Sequence, residues 1–303
     1  MSINSSLKSG IKKLRSSQPF NRIATSGSRS LLSVAGLKSE FLIKHLHRID
    51  LVETKLPNGK ILRLQSKGDD WVSNQVFWRG WQGYEPETIP LFFRLAQTAR
   101  VTFDIGSYVC FFTLLAAHAN TDGKIYAFEP LSAIYERLQQ NIELNNLRNV
   151  ESVLGAVGAE EGEAEFFHLE GAELPTSSSL SQKFVEDVPN VTATKVKIFK
   201  LDKFAAENNI ERIDLMKIDT ESTEPDVLRG ARSILERDHP QMICEVLKDR
   251  GSEKPLAEIL RPLGYKFYLM TPDGLQQRHQ IEGHPEFLNY FFTTLEPGEA
   301  SKL

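Results

Sequence analysis

Hydrophobic residues along this chain follow two rhythms that change near residue 100. Beyond it, short apolar runs at residues 101–105, 124–128, 150–154, 213–218, 242–246, 266–270 and 290–294 predict seven strands. Between them, residues 111–119, 134–145, 225–235 and 255–263 space their apolar positions at helical intervals, with Ile134, Leu138 and Ile142 on one side of the second. Strands that alternate with helices make a doubly wound α/β domain with a mostly parallel sheet. Ile125, Tyr126, Ala127 and Phe128 are consecutive apolar residues, as expected of a strand covered on both faces. The last two strands are expected to form an antiparallel pair at one edge. A further strand pair, at 164–169 and 195–201, brackets a Ser-rich patch, and residues 171–190 around it read as a mobile lid.

Before residue 101 the pattern differs. Residues 51–66 alternate apolar and polar on both sides of Pro57-Asn58-Gly59, a hairpin signal, because Asn-Gly supplies the positive φ of a tight turn. An aromatic-rich stretch follows, with helix expected from Glu87. Three parts result: a basic, partly helical arm over 1–50, a hairpin and aromatic extension packing on the main domain over 51–100, and a cofactor-binding domain over 101–303.

Charge sharpens that division. The 303 residues carry a net −4, yet the first fifty hold nine Lys/Arg against Glu40 and Asp50, so the remainder is strongly acidic. A basic arm can meet an anionic glycan or a lipid surface, whereas an acidic main body argues against a phosphate backbone, so no nucleic-acid partner is expected. No run approaches the roughly 18 apolar residues of a membrane span, and the N-terminus lacks a signal-peptide core, so a cytoplasmic protein with at most peripheral membrane contact is expected. Cys110 and Cys244 lie in apolar segments and read as reduced core thiols, and no Cys/His spacing suggests a metal.

The chemistry sits where ligands bind in such sheets, outside the carboxyl ends of the strands. Asp104, Glu129, Asp219 and Glu245 each stand at or near one such end. Gly106 allows a sharp turn after the first strand, leading to a helix N-terminus with free N–H groups. The glycine trio of a pyrophosphate loop is absent, which favours an adenosine cofactor without phosphates. S-adenosylmethionine fits: Glu129, followed by Pro130, would take the ribose hydroxyls, the region of Gly155 and Ala156 the adenine, and the loop of Asp104, Gly106, Ser107 and Tyr108 the methionine end.

The segments FDIGSYVCFFTLLAA, YAFEP, NIELNN, LMKIDTESTEPDVLRGA and MICEV resemble the successive motifs of the FkbM-type family of S-adenosylmethionine-dependent methyltransferases. The resemblance spans roughly residues 83–245. It takes in GYEPET, which offers Tyr84 and Glu85 as cofactor contacts. It implies a class I methyltransferase fold and O-methylation of a sugar, glycolipid or polyketide-type hydroxyl. Asp104, Gly106 and Glu129 match the cofactor motif, and Asp219, Glu221 and Glu224 the acidic run after the fourth strand. Three positions depart from the pattern. Cys110 and Ser222 stand where the family has glycine, and Tyr108 replaces a small amide. Cys110 is expected to hold ordinary helical angles with its sulfur buried.

For methyl transfer the enzyme must align a hydroxyl and help remove its proton. Asp219 is the first candidate base, Glu221 the second and His284 a third, while Glu224 reads as a helix-capping residue. Trp71, Trp78, Trp81 and Tyr84 offer either a sugar-stacking wall or core packing. Two other readings stay open: a binding module on the same fold whose cofactor site Cys110 obstructs, and a methyltransferase of RNA or protein. No metal is expected, since the carboxylates are spread over separate strand ends.

Overall fold

The computed structural model describes residues 17–35, 40–171, 174, 178–185, 189–300 and 302–303. The first sixteen residues of the basic arm, and residues 172–173, 175–177 and 186–188 of the expected lid, lie outside the described residues. The chain divides into two compact units, the first ending at Tyr84 and the second being Glu85–Leu303. The division therefore falls earlier than the boundary near residue 100 read from the pattern. The reason is α4 (Ile89–Ala96), whose Phe92 packs edge-on against Phe112, 4.9 Å between ring centres.

The first unit holds α1 (Gln18–Ala35), α2 (Glu40–His45), a hairpin of β1 (Ile49–Lys55) and β2 (Ile61–Lys67), and α3 (Trp71–Arg79). Alternation places Val52, Leu62 and Leu64 on the buried face of the hairpin, with Val52 opposite Leu64. Its turn closes at Pro57-Asn58-Gly59 as the sequence predicts, Leu56 N–H donating to Lys60 O at 2.9 Å. Asp70 caps α3 by accepting from Ser73 N–H, 2.5 Å. Trp78 on that helix donates its indole N–H to Leu46 O at 3.1 Å, a packing role, whereas Trp71 is exposed.

The second unit is built on an eight-stranded sheet. Its strands are β3 (Val101–Ile105), β4 (Lys124–Glu129), β5 (Val150–Leu154), β9 (Leu215–Ile218), β10 (Gln241–Glu245), β11 (Lys266–Thr271), β12 (Gly274–Arg278) and β13 (Asn289–Thr293). The order is β12-β11-β13-β10-β9-β3-β4-β5, parallel from β5 to β10. All seven strands read from the sequence are present. β13 pairs antiparallel with β11 as expected, but it is inserted between β11 and β10, and the edge is occupied by β12, an eighth strand that is mostly exposed and polar. A separate sheet joins β6 (Ala156–Val157), β7 (Gly162–Leu169) and β8 (Val191–Phe199).

The helices of this unit are α4, α5 (Phe111–Ala119), α6 (Ser132–Leu144), α7 (Leu201–Glu207), α8 (Glu224–Gly230), α9 (Arg232–Asp238), α10 (Glu253–Leu260) and α11 (Pro297–Ala300). The predicted helix over 225–235 is broken in two. At the break a Cβ on Gly230 would stand 2.1 Å from Gly158 O, so glycine is required there and the helix ends against that backbone.

Parity along the strands decides what the site contains. Phe103, Ile105, Met216 and Ile218 join one apolar core with Val227, Leu228, Leu235 and Leu256. Asp104 and Lys217 have the opposite parity and face α5, where Thr113 bonds Asp104 and the Phe112 ring lies 5.0 Å from Lys217 Nζ. No described helix is long and apolar enough to cross a membrane.

Candidate active site

Residues 104–110 make a tight loop from β3 into α5. Gly106 has φ 81°, and its N–H and that of Ser107 both donate to Phe128 O, at 3.1 and 3.0 Å. A Cβ on Gly106 would sit 1.8 Å from Asp219 O, so only glycine lets the ends of β3 and β9 touch. Asp219 N–H in turn donates to Ile105 O at 2.9 Å. Ser107 Oγ donates to Asp104 O, and Tyr108 holds φ 48°.

Cys110 does not take helical angles. It precedes α5 with φ 67° and ψ 25°, the left-handed conformation that favours glycine. Its sulfur is fully buried, 3.7 Å from Leu138 O of α6, and burial pushes the thiol pKa well up. The expectation about its backbone is thus corrected, while the expected burial of the sulfur holds. Ser222 repeats the pattern at φ 84°, with its buried hydroxyl lacking a partner. Both departures from family glycines have kept the glycine geometry.

Glu129 ends β4 and is buried. Its Oε2 accepts from Tyr108 N–H at 3.1 Å and its Oε1 from Leu131 N–H at 3.0 Å. One donor on each oxygen leaves lone pairs for two more, the number a vicinal diol supplies. Burial pushes its pKa up to about 8, against the two backbone bonds. Asp104, equally buried, accepts from Thr113 Oγ1 at 2.5 Å and is pushed up to about 6 by burial.

At the end of β9 a lysine anchors the acidic cluster. Lys217 is 1% exposed, and its Nζ lies 3.0 Å from Asp219 Oδ2 and 3.4 Å from Asn289 Oδ1. Asn289 passes the connection on, donating from Nδ2 to Glu85 Oε2 at 2.9 Å. Burial alone would lower the lysine pKa; the carboxylates of Asp219, Glu85 and Glu245 more than offset it and hold the ammonium charged. Glu245 and Glu221 go the other way. Burial and the neighbouring Asp219 raise both, Glu221 to about 9, so Glu221 is a neutral acid at pH 7. Glu245 Oε2 is buried without a partner. Glu224 folds back on the preceding loop, accepting from Ser222 N–H at 2.9 Å and from Thr220, so it ties that loop down instead of capping α8, which has no side-chain cap bond.

The structure thus groups Glu85, Asp219, Glu221 and Glu245 through Lys217, and sets Asp104, Gly106, Ser107, Tyr108 and Glu129 around the adjoining loop. Pro130 directly follows Glu129, and Ala156 is buried in β6 opposite Ile198. Tyr84 closes the first unit. His284 is a turn residue: its Nδ1 accepts from Glu286 N–H and Phe287 N–H, both 3.1 Å, and its ring stacks on Phe287. Sequence reasoning missed Lys217 and Asn289. The signal for Lys217 was a lone cation inside the apolar run LMKI. It also missed Ser179 in the expected lid. That residue is fully buried, pairs with Phe167, and donates from Oγ to Glu221 O at 2.6 Å. Nearby, Tyr108 Oη donates to Leu174 O at 3.3 Å.

Residues 104–267 match the model of the methyltransferase FkbM domain. The chain belongs to the FkbM methyltransferase family. Methyltransferase 1 of Beauveria bassiana is 26% identical over 192 residues, covering 56% of this chain and 74% of that protein. The AMB antimetabolite synthetase AmbE of Pseudomonas aeruginosa is 25% identical over 287 residues, 83% of this chain but only 13% of the synthetase's length. Among solved structures, the FkbM methyltransferase of Methylobacillus flagellatus is 12% identical with TM-score 0.44, over 76% of this chain and 56% of that one. The O-methyltransferase of Bacillus cereus in complex with SAH is 14% identical with TM-score 0.39, over 70% and 80%.

Proposed function

We propose that the protein transfers the methyl group of S-adenosylmethionine to a hydroxyl oxygen of a sugar, glycolipid or polyketide-type acceptor. The observation that carries this is the joining of two strand ends. Gly106 in the loop assigned to the cofactor touches the backbone of Asp219, whose carboxylate is held charged-side to Lys217. When bound, the cofactor supplies an activated methyl on a sulfonium. Glu129 accepts its ribose hydroxyls, and the loop of Gly106, Ser107 and Tyr108 takes its methionine end.

This chain's own work is to align the acceptor and receive a proton. Asp219 accepts the hydrogen bond of the reacting hydroxyl and takes its proton as the oxygen attacks in line, while Lys217, 3.0 Å away, holds the carboxylate in position. Glu221, being protonated, acts as a donor to a neighbouring oxygen of the acceptor, and the buried, unpartnered Glu245 Oε2 is read as a second polar contact to it. This revises the order of candidate bases: Glu221 is an orienting acid, and His284 has no part. An acceptor with several oxygens suits such a cluster, and the likeness to part of an antimetabolite synthetase agrees with a natural-product acceptor.

Asp219→Asn tests the reading. Methyl transfer to a panel of sugar and polyketide hydroxyls should fall by about 10²–10⁴, while calorimetric affinity for S-adenosylmethionine stays within a few-fold. Unchanged turnover would remove Asp219 as the base. Failure of the wild-type protein to bind either S-adenosylmethionine or S-adenosylhomocysteine would favour the binding-module reading instead.

A further inference from the structure

Over its described side chains, residues 18–31, α1 turns polar groups inward and apolar ones outward. Its inward side is polar: Asn21 and Thr25 are buried. Asn21 Nδ2 donates to His47 O and its Oδ1 accepts from Ile49 N–H, each at 2.8 Å. Arg48 donates to Thr25 Oγ1 at 2.9 Å, to Ser26 Oγ at 3.2 Å and to Arg22 O at 3.1 Å. These partners are satisfied and directional, so the helix cannot roll over to bury its other side without breaking them. That other side carries Phe20, Ile23 and Leu31, 46%, 75% and 74% exposed. With Gly27 they fall at spacings of three, four and four, one stripe along the helix. The next helix, α2, exposes Phe41 at 69%. Four of the seven large exposed hydrophobic residues described in the chain therefore belong to these two helices.

Charge identifies what covers the stripe. Residues 1–50 hold nine Lys/Arg against two acids, with Lys8, Lys12, Lys13 and Arg15 in the segment leading into α1. A second copy of this face would bring the same positive surplus against itself. A nucleic acid would use the charge and leave the apolar stripe in water. An anionic bilayer uses both, burying the apolar side chains at the acyl boundary while its headgroups meet the cations. We propose that α1 docks this protein on an anionic lipid surface through Phe20, Ile23 and Leu31. The inference stands on the first unit alone and is independent of the methyl-transfer reading.

Flotation of the full chain with vesicles tests it. Binding should be at least tenfold stronger to phosphatidylcholine vesicles containing about a third phosphatidylglycerol than to phosphatidylcholine alone, and should weaken as salt rises from about 0.1 M to about 1 M. Ile23→Ser combined with Leu31→Ser should lower binding at least tenfold with no fall in Tm, because both side chains are already in water. Lys12→Glu with Lys13→Glu should lower it in the same direction. Equal flotation of the double-serine variant with the wild type would overturn the proposal, as would no flotation of either. A dimer in solution that the double-serine variant converts to monomer would assign the stripe to a second copy and overturn it too.

Discussion

Lys217 Nζ lies 3.0 Å from Asp219 Oδ2, and the lysine is fully enclosed while the aspartate side chain remains 23% exposed. Asp219 directly follows β9, two residues on from Lys217, so the two emerge on the same face. A buried cation thus holds a carboxylate that still reaches the open side, the arrangement a proton acceptor needs. Lys217→Met keeps the volume and removes the charge. It should cost about 3–5 kcal/mol at pH 7, because Asp219 and Glu85 are left without their cation. Guanidinium unfolding measures this. Methyl transfer by the variant should fall as well, since Asp219 loses the cation that holds its carboxylate in place.

Lys217 supplies at the centre of the cluster the positive charge that a metal ion would otherwise bring. Methyl transfer is therefore expected to survive exhaustive chelation. Loss of activity that magnesium restores would contradict this.

If Glu129 takes the ribose hydroxyls as proposed, cofactor affinity depends on pH. Its pKa is raised to about 8, and accepting two hydroxyls favours the ionised form. Affinity for S-adenosylmethionine should fall as pH drops below about 8, approaching tenfold per unit, with a proton released on binding. Without ligand the sign for stability is opposite to that of a salt-bridged carboxylate. The folded state holds a proton that the unfolded state gives up near 4.5, so stability falls as pH rises from about 4.5 to about 8 and levels off above. Glu129→Gln should weaken binding and flatten both dependences, measured by calorimetry and by thermal melting across that range.

Ser222→Gly should stabilise the protein by about 1–2 kcal/mol. It relieves a left-handed serine and deletes a buried hydroxyl with no partner. Cys110→Gly relieves similar strain but leaves a hole where the sulfur packed on α6, so its stability change should stay within about 1 kcal/mol. S-adenosylmethionine affinity should change only a few-fold with Cys110→Gly, and thiol reagents should react slowly with the wild type. A hundredfold gain in affinity would show instead that Cys110 obstructs the site.

The seven principal strands and the acids at their ends were legible because both are local: an apolar run states a strand, and its last residue is known from the run. Lys217 was not legible, because its role depends on parity within a sheet whose order no single strand reveals. Asn289 bridges to Glu85 across 204 positions, and only the insertion of β13 beside β10 brings them together. The edge strand β12 reads GLQQR and has no apolar face to announce it. The left-handed backbone at Cys110 was hidden because cysteine at that position looks like an ordinary helix start.

The contact between Gly106 and Asp219 acts as a fixed gauge within the molecule. On the proposed reading, the spacing between the loop that would present the methyl donor and the group that would receive the proton is set by main chain against main chain, with no side chain in between. Acceptor preference can then drift through substitutions around Ser179, Glu221 or Glu245 without recalibrating the reaction distance. An engineer seeking a new acceptor would vary those positions and leave Gly106 untouched, since any larger residue there would spread the two strand ends and detune every substrate at once.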